Sequence, residues 1–126
     1  MNLIEEYLDN VIKMKLSLDD FGDKRKVRKS NKLADRNVEI AELIDRQEDL
    51  KALFAGLLES EDREIRGWVA HHMIERMSFD KSARQKALKV IEDEAANSPD
   101  PVERLGNEMW LKKYYSDNPS DVSARE

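Results

Sequence analysis

Arg25, Lys29, Lys32 and Arg36 recur at steps of three or four residues, a spacing that on a helix lines four cations along one stripe. Such a stripe could bind phosphates, each cation displacing a counterion from a nucleic-acid backbone. It lies in DKRKVRKSNKLADR, Asp23 to Arg36, which packs seven basic residues into a chain of net charge −5. No aromatic side chain interleaves the cluster to stack bases, and no recognition motif accompanies it. The competing reading is a solvated helix face paired with acids such as Glu5, Glu6 and Asp9. Lys24, Arg25 and Lys26 nevertheless fall at the positive end of the helix dipole, where each charge is disfavoured by a few tenths of a kcal/mol.

The remainder of the chain has the opposite sign. Seven of the 22 basic residues and two of the 27 acidic ones lie between Asp23 and Arg36, which leaves 15 basic against 25 acidic elsewhere. Glu59, Glu61, Asp62 and Glu64 cluster at one helix joint, and Glu92, Asp93 and Glu94 close another helix. Acidic rims of this kind steer a basic partner and select for it; taken singly, each also fits an ordinary soluble surface.

His71 and His72 are the only histidines. Adjacent positions point about 100° apart on a helix, so they do not reproduce the i, i+4 spacing of a helical zinc pair. His72 leans toward Ile65 and Val69, which predicts a packed, hydrogen-bonded ring, while His71 faces away. Trp68 and Trp110 fit core or inter-helix anchors, or binding hot spots if exposed. No metal site and no cofactor is expected. Gly22, Gly56, Gly67 and Gly106 are isolated, so neither common phosphate-cradling loop occurs. There is no Cys and no G-x-S-x-G motif. An acid–base enzyme would require a closed pocket holding carboxylates with shifted pKa values, and no carboxylate pair is singled out by its spacing. The expectation is a protein without catalytic residues.

Composition points to the scaffold that must position these groups. The chain has 126 residues, 40% apolar and 39% charged, with only four Gly and three Pro. That length supports one core, and the scarcity of turn formers favours long helices. The start MNLIEEYLDNVIKMK has neither the basic nor the unbroken apolar region of a signal peptide, and no apolar run approaches the ~20 residues of a membrane span. A cytoplasmic protein without membrane association is expected.

Apolar periodicity predicts six helices. The first runs from about Asn2 to Leu18, broken by Gly22, with Asp23 suited to cap the second, Lys24 to Arg46, whose Val27, Ala34, Val38, Ala41 and Ile44 face the core. Leu50, Leu53, Phe54, Leu57 and Leu58 mark a short, central, well-buried third helix. Ser60 or Glu61 caps the fourth, which reaches Met77. The fifth begins near Asp80 or Ser82, where Ser82 and Gln85 match a capping box. The last opens on Asp100 and Pro101 and carries Val102, Leu105, Met109, Trp110, Leu111 and Tyr114. Residues 1–115 form a single domain, and residues 116–126 have little to bury and read as a mobile tail.

Asp62 with Arg66 and Asp100 with Arg104 place the same acid–arginine pair at the start of two helices about 38 residues apart, a period close to that of HEAT repeats. SEDREIRGWVAHHM resembles the second helix of a HEAT-like repeat through Asp62, Ile65, Arg66, Val69 and Ala70. The order of Tyr7, Gly22, Asp23, Asn31 and Asp35 ahead of it is similar to a small bacterial HEAT-like family catalogued only as a domain of unknown function. Gly67 and Trp68 depart from the pattern, where helix-favouring spacers are expected. The resemblance implies an α-α superhelix of HEAT-like pairs behind an N-terminal helical hairpin, a partner-binding protein, and in some relatives immunity against bacterial toxins. Asn31, aligned with an Asn of that family, is expected to satisfy a loop backbone group.

The function expected is therefore non-catalytic protein binding, most concretely an immunity or antitoxin-like role against a basic toxin. Glu61, Asp62 and Glu64 would supply charge contacts and Trp68 an anchor. The alternative is nucleic-acid association through Arg25, Lys29, Lys32 and Arg36.

Overall fold

The computed structural model describes residues 2–17 and 24–122. Six α-helices follow one another: α1 (Leu3–Ser17), α2 (Lys24–Ile44), α3 (Glu48–Gly56), α4 (Arg63–Glu75), α5 (Lys81–Asn97) and α6 (Pro101–Asp117). Short 3-10 turns, Leu57–Glu59 and Pro119–Asp121, follow α3 and α6, and no strand occurs among the described residues. The all-α expectation holds. Gly22 and Asp23, the expected breaker and cap, lie outside the described residues.

Sequence-adjacent helices pack on one another, α1 with α2, α4 with α5 and α5 with α6, and α1 closes against α4. The first pair forms the expected N-terminal hairpin. Tyr7, Val11 and Met14 recur every three or four residues along α1 and are all buried. Tyr7 is the junction: its ring meets Phe54 of α3 edge-on at 4.9 Å, and its hydroxyl lies 2.7 Å from His72 Nδ1 of α4. Burial pushes the Tyr7 phenol well above its ordinary pKa, so it stays protonated and shares its hydrogen bond with the imidazole as a neutral hydroxyl.

A polar clasp sits inside this apolar hairpin. Asn37 is 0% exposed. Its Oδ1 accepts from Asn10 Nδ2 at 2.9 Å, and its Nδ2 donates to the Tyr7 carbonyl at 3.1 Å. These bonds offset the desolvation of two amides and fix the register of α1 on α2. Asn31, expected to satisfy a backbone group, is exposed; the asparagine with that role is six positions on, in the half of α2 that faces the core.

The N-terminal half of α2 has no such role. Residues 24–29 are all exposed, including Val27, which was expected to face inward. Buried positions begin at Asn37 and continue through Ile40, Ala41 and Ile44. α3 also corrects the sequence reading: only Phe54 is buried, and Leu53 is 63% exposed, so the helix edges the core rather than crossing it.

The openings of α4, α5 and α6 share one construction. Asp62, Asp80 and Asp100 are the N-caps, their carboxylates accepting from the amides of Glu64, Ala83 and Val102. Neither Ser60 nor Glu61 caps α4, and of the two starts expected for α5, Asp80 rather than Ser82 is the cap, its backbone still extended. Four residues beyond each cap an arginine folds back on the preceding turn: Arg66 donates to the Ser60 carbonyl, Arg84 to Phe79 and Arg104 to Ser98, at 2.6–2.8 Å. The Asp–Arg pair recognised twice in the sequence thus occurs three times, once per helix start.

The chain end is more ordered than a mobile tail. α6 continues to Asp117, and Asp121 is buried, accepting from Arg84 Nε at 3.1 Å, from its NH2 at 2.9 Å and from Tyr114 at 2.5 Å. Residues 123–126 lie outside the described residues. α6 also presents an unexpected outer face: Val102, Leu105 and Met109 are exposed, Val102 by 78%, whereas Leu111 alone on this helix is buried. No other described helix covers that stripe.

Candidate functional site

One side of α4 faces α5 and α6 across a cleft of about 490 Å³. Arg63, Glu64, Gly67, Trp68, His71 and Glu75 come from α4, where steps of three and four residues carry them along one wall. Glu94 and Ile91 of α5 form the floor, and Glu103 and Asn107 of α6 the opposite wall. Four glutamates and two arginines line it, so the cleft is net acidic. Glu94 at its floor is buried, whereas Glu75 and Glu103 at its sides are exposed.

Burial acts on two of the carboxylates. Glu94 is only 5% exposed, and burial pushes its carboxyl upward against the opposing pull of Arg63. Glu64 is raised by burial first and then by the charge of Glu103, with Lys15 opposing. Glu94 Oε1 accepts no hydrogen bond, and Arg63 Nε lies 3.5 Å from it. Arg63 is held there by a second bond, from its NH1 to the Asn97 carbonyl at 3.1 Å. Glu103 is anchored by the buried Ser98, whose hydroxyl donates to Oε2 at 2.9 Å.

The two histidines occupy opposite chemical settings. His72 is buried beneath Trp68, ring centroids 5.7 Å apart, and burial lowers its pKa to about 4, so it pairs with the Tyr7 hydroxyl as a neutral ring. The packed role expected for His72 is what the structure shows. His71 does not face away into solvent. Its Nδ1 lies 3.1 Å from Glu75 Oε2, its Nε2 lies 2.9 Å from Asn107 Oδ1, and its ring meets Trp110 edge-on at 4.7 Å. Asn107 donates its own Nδ2 to the Glu103 carbonyl, which turns Oδ1 toward His71. His71 therefore ties the two cleft walls together. The bond to His71 holds Glu75 below the usual carboxylate range. Among the described residues no three His, Cys, Asp or Glu side chains converge in a way that could hold a metal ion.

The residues singled out by sequence separate into distinct places. Glu64 and Trp68 line the cleft. Glu61 is exposed and does not line it, and Asp62 is engaged as the α4 cap, with Lys15 Nζ at 3.7 Å. Glu94 and Glu103 were not distinguished from their neighbours as site residues. Their signal was nonetheless present for Glu94: Ala87, Ile91 and Glu94 follow steps of four and three, which puts a carboxylate on the inner stripe of α5. For Glu103 there was none, because an acid in the first turn of a helix needs only the dipole to explain it.

The basic stripe is broken up. Arg25, Lys29 and Lys32 are exposed on the projecting part of α2. Arg36 is not available to a ligand: its Nε and NH2 donate to the two oxygens of Glu6 at 2.8 and 3.1 Å, and its NH1 lies 3.5 Å from Glu39. The hydrogen bond from Arg36 holds the Glu6 carboxyl below its usual range. No helix among the described residues is long and apolar enough to cross a membrane. No protein-family model, no curated protein and no solved structure matches this chain, so the HEAT-like resemblance rests on its own residues.

Proposed function

We propose that this protein is a non-catalytic binding module that takes a basic protein partner on its α4–α6 face, with toxin neutralisation as the most concrete version. The observation that carries this reading is the gathering of Glu64, Glu94, Glu103 and Trp68 in the lining of one cleft, with the exposed Glu61 three residues before Glu64 in the chain. A cleft of net negative charge concentrates its field at the opening, which raises the encounter rate with an oppositely charged surface. An aromatic side chain at the centre of such a surface supplies the apolar contact that charge alone does not.

The raised carboxylates also meet the condition for acid–base chemistry. The residues lining the cleft, however, include no hydroxyl, thiol or amine nucleophile, and Arg63 neutralises part of the Glu94 charge. Binding uses the whole of the arrangement, whereas catalysis uses a fraction of it.

The test is affinity capture from the native host with the unaltered protein and with Glu61→Lys/Glu64→Lys. The reading expects a basic protein held by the first and lost from the second, which arrests growth when expressed alone and is neutralised by co-expression. Capture of an acidic partner, or of the same protein by both forms, contradicts it. Nucleic-acid association remains the alternative because Arg25, Lys29 and Lys32 are exposed along one stripe. It predicts RNA or DNA binding at about 50 mM salt that disappears on reversing those three charges.

A further inference from the structure

Glu94 raises a question that the acidic rim does not answer. A carboxylate 5% exposed, one oxygen accepting no hydrogen bond, is costly unless something completes it. Arg63 at 3.5 Å supplies charge without a hydrogen bond. Gly67 raises a second question independently. It sits in the middle of α4, where glycine costs a helix roughly 0.5–1 kcal/mol relative to alanine. Its φ is not positive, and a Cβ built there meets nothing within 4 Å, so neither backbone geometry nor packing requires glycine. What Gly67 borders is the cleft, between Glu64 and Trp68 on the same wall.

Resting on the protein-binding reading, we propose that the cleft is a receptor for a single arginine side chain of the basic partner, its guanidinium bonded to Glu94 and stacked on Trp68 in the space that Gly67 leaves open. Arginine suits these walls better than lysine for three reasons. Its planar fork donates to two acceptors at once, which the Glu94 and Glu103 carboxylates provide, Glu103 lying near enough for its charge to raise Glu94. Its flat face stacks on an indole. It is also more weakly hydrated than an ammonium, so it loses less on entering a half-buried site. Gly67 is then explained by close approach: a side chain at that position would occupy the path between Trp68 and the floor.

The probe is acetyl-arginine amide, with acetyl-lysine amide as its control, titrated into the full chain while the Trp68 indole N–H resonance is followed. The arginine probe is expected to shift Trp68 saturably and to bind several-fold tighter than the lysine probe. Glu94→Gln is expected to weaken arginine binding about tenfold, the loss of one charge-assisted bond. Gly67→Leu should abolish the shift. Because Glu94→Gln could also perturb packing, Gly67→Ala serves as the second variant: it is expected to raise Tm while lowering arginine affinity, a combination that unfolding cannot produce. Equal binding of both probes, or an unmoved Trp68, overturns the inference. Should that happen while a basic partner is still captured and lost with Glu61→Lys/Glu64→Lys, the arginine receptor falls and the broader reading stands. Loss of both would remove the two together.

Discussion

The molecule carries two charged regions of opposite sign, and they are built differently. The cations of α2 lie on residues 24–29, all exposed at the surface of the helix. The acids of α4–α6 line a cleft floored by the buried Glu94 and walled by Trp68. Coulomb energies between exposed charges fall to about 1 kcal/mol in water and are screened by salt, whereas walls that exclude water preserve them. Charge density alone favoured the basic stripe; the dielectric surroundings favour the acidic cleft. A dense run of like charges in a sequence is thus a weaker sign of a binding site than a few opposite ones placed where a core would otherwise be.

The largest effect tests whether the two regions belong to one cooperative unit. Tyr7 links α1 to both α3 and α4, so Tyr7→Ala is expected to cost about 3–5 kcal/mol and to lower the urea midpoint of the whole chain in one transition. A second transition, with α4–α6 surviving alone, would show two independent halves.

Acid comes next. His72 is held near 4 against an ordinary 6.5. Between those values the unfolded chain takes up a proton that the folded chain refuses, so this group's contribution is complete above pH 6.5 and is lost as pH falls toward about 4. Its full size is about 3 kcal/mol. Glu64 and Glu94 act in the other direction: their raised carboxyls hold protons more readily when folded, so each adds stability on acidification. Because the signs oppose, the check is site-specific: the His72 ring resonances should stay fixed from pH 7 down to about 5. Titration near 6.5 would mean that the ring is wet.

A smaller effect separates the two asparagines of α2. Asn37→Ala leaves the buried Asn10 amide without its partner, removes the second donor to the Tyr7 carbonyl, and should cost about 1–3 kcal/mol in a denaturation experiment. Asn31→Ala, on the exposed face, should change stability by less than about 0.5 kcal/mol. The smallest effect belongs to the basic region itself. Reversing Arg25, Lys29 and Lys32 together should leave stability within about 0.5 kcal/mol and leave arginine-probe binding untouched. A change in cleft affinity would show that the two regions are electrostatically coupled.

Much of this was written in the sequence. Apolar steps of three and four residues located six helices, because that period reports burial directly in an amphipathic chain. The Asp–Arg pairs at Asp62 and Asp100 marked two helix starts for a local reason, cap and fold-back lying within one turn of each other. Asp80 with Arg84 escaped notice because Ser82 and Gln85 offered a competing cap two residues later. What periodicity could not tell is which apolar stripe has a neighbour. Val27, Leu53 and the Val102–Leu105–Met109 stripe obey the helical pattern and are exposed, since coverage depends on which helices the fold brings alongside. The cleft was legible only in part for the same reason. Glu64 and Trp68 belong to one helix, but Glu94 and Glu103 join them only through the packing of α5 and α6 against α4.

The central claim is that the acidic cleft, not the basic stripe, receives the partner. Chemical-shift mapping at about 150 mM salt, with an arginine-rich peptide and then with single-stranded RNA of equal length, tests it directly. Saturable shifts confined to Glu64, Gly67, Trp68, Glu94 and Glu103 with the peptide, and none with RNA, are the predicted result. Shifts along residues 25–36 with RNA, or peptide shifts scattered over the surface without saturation, would contradict it.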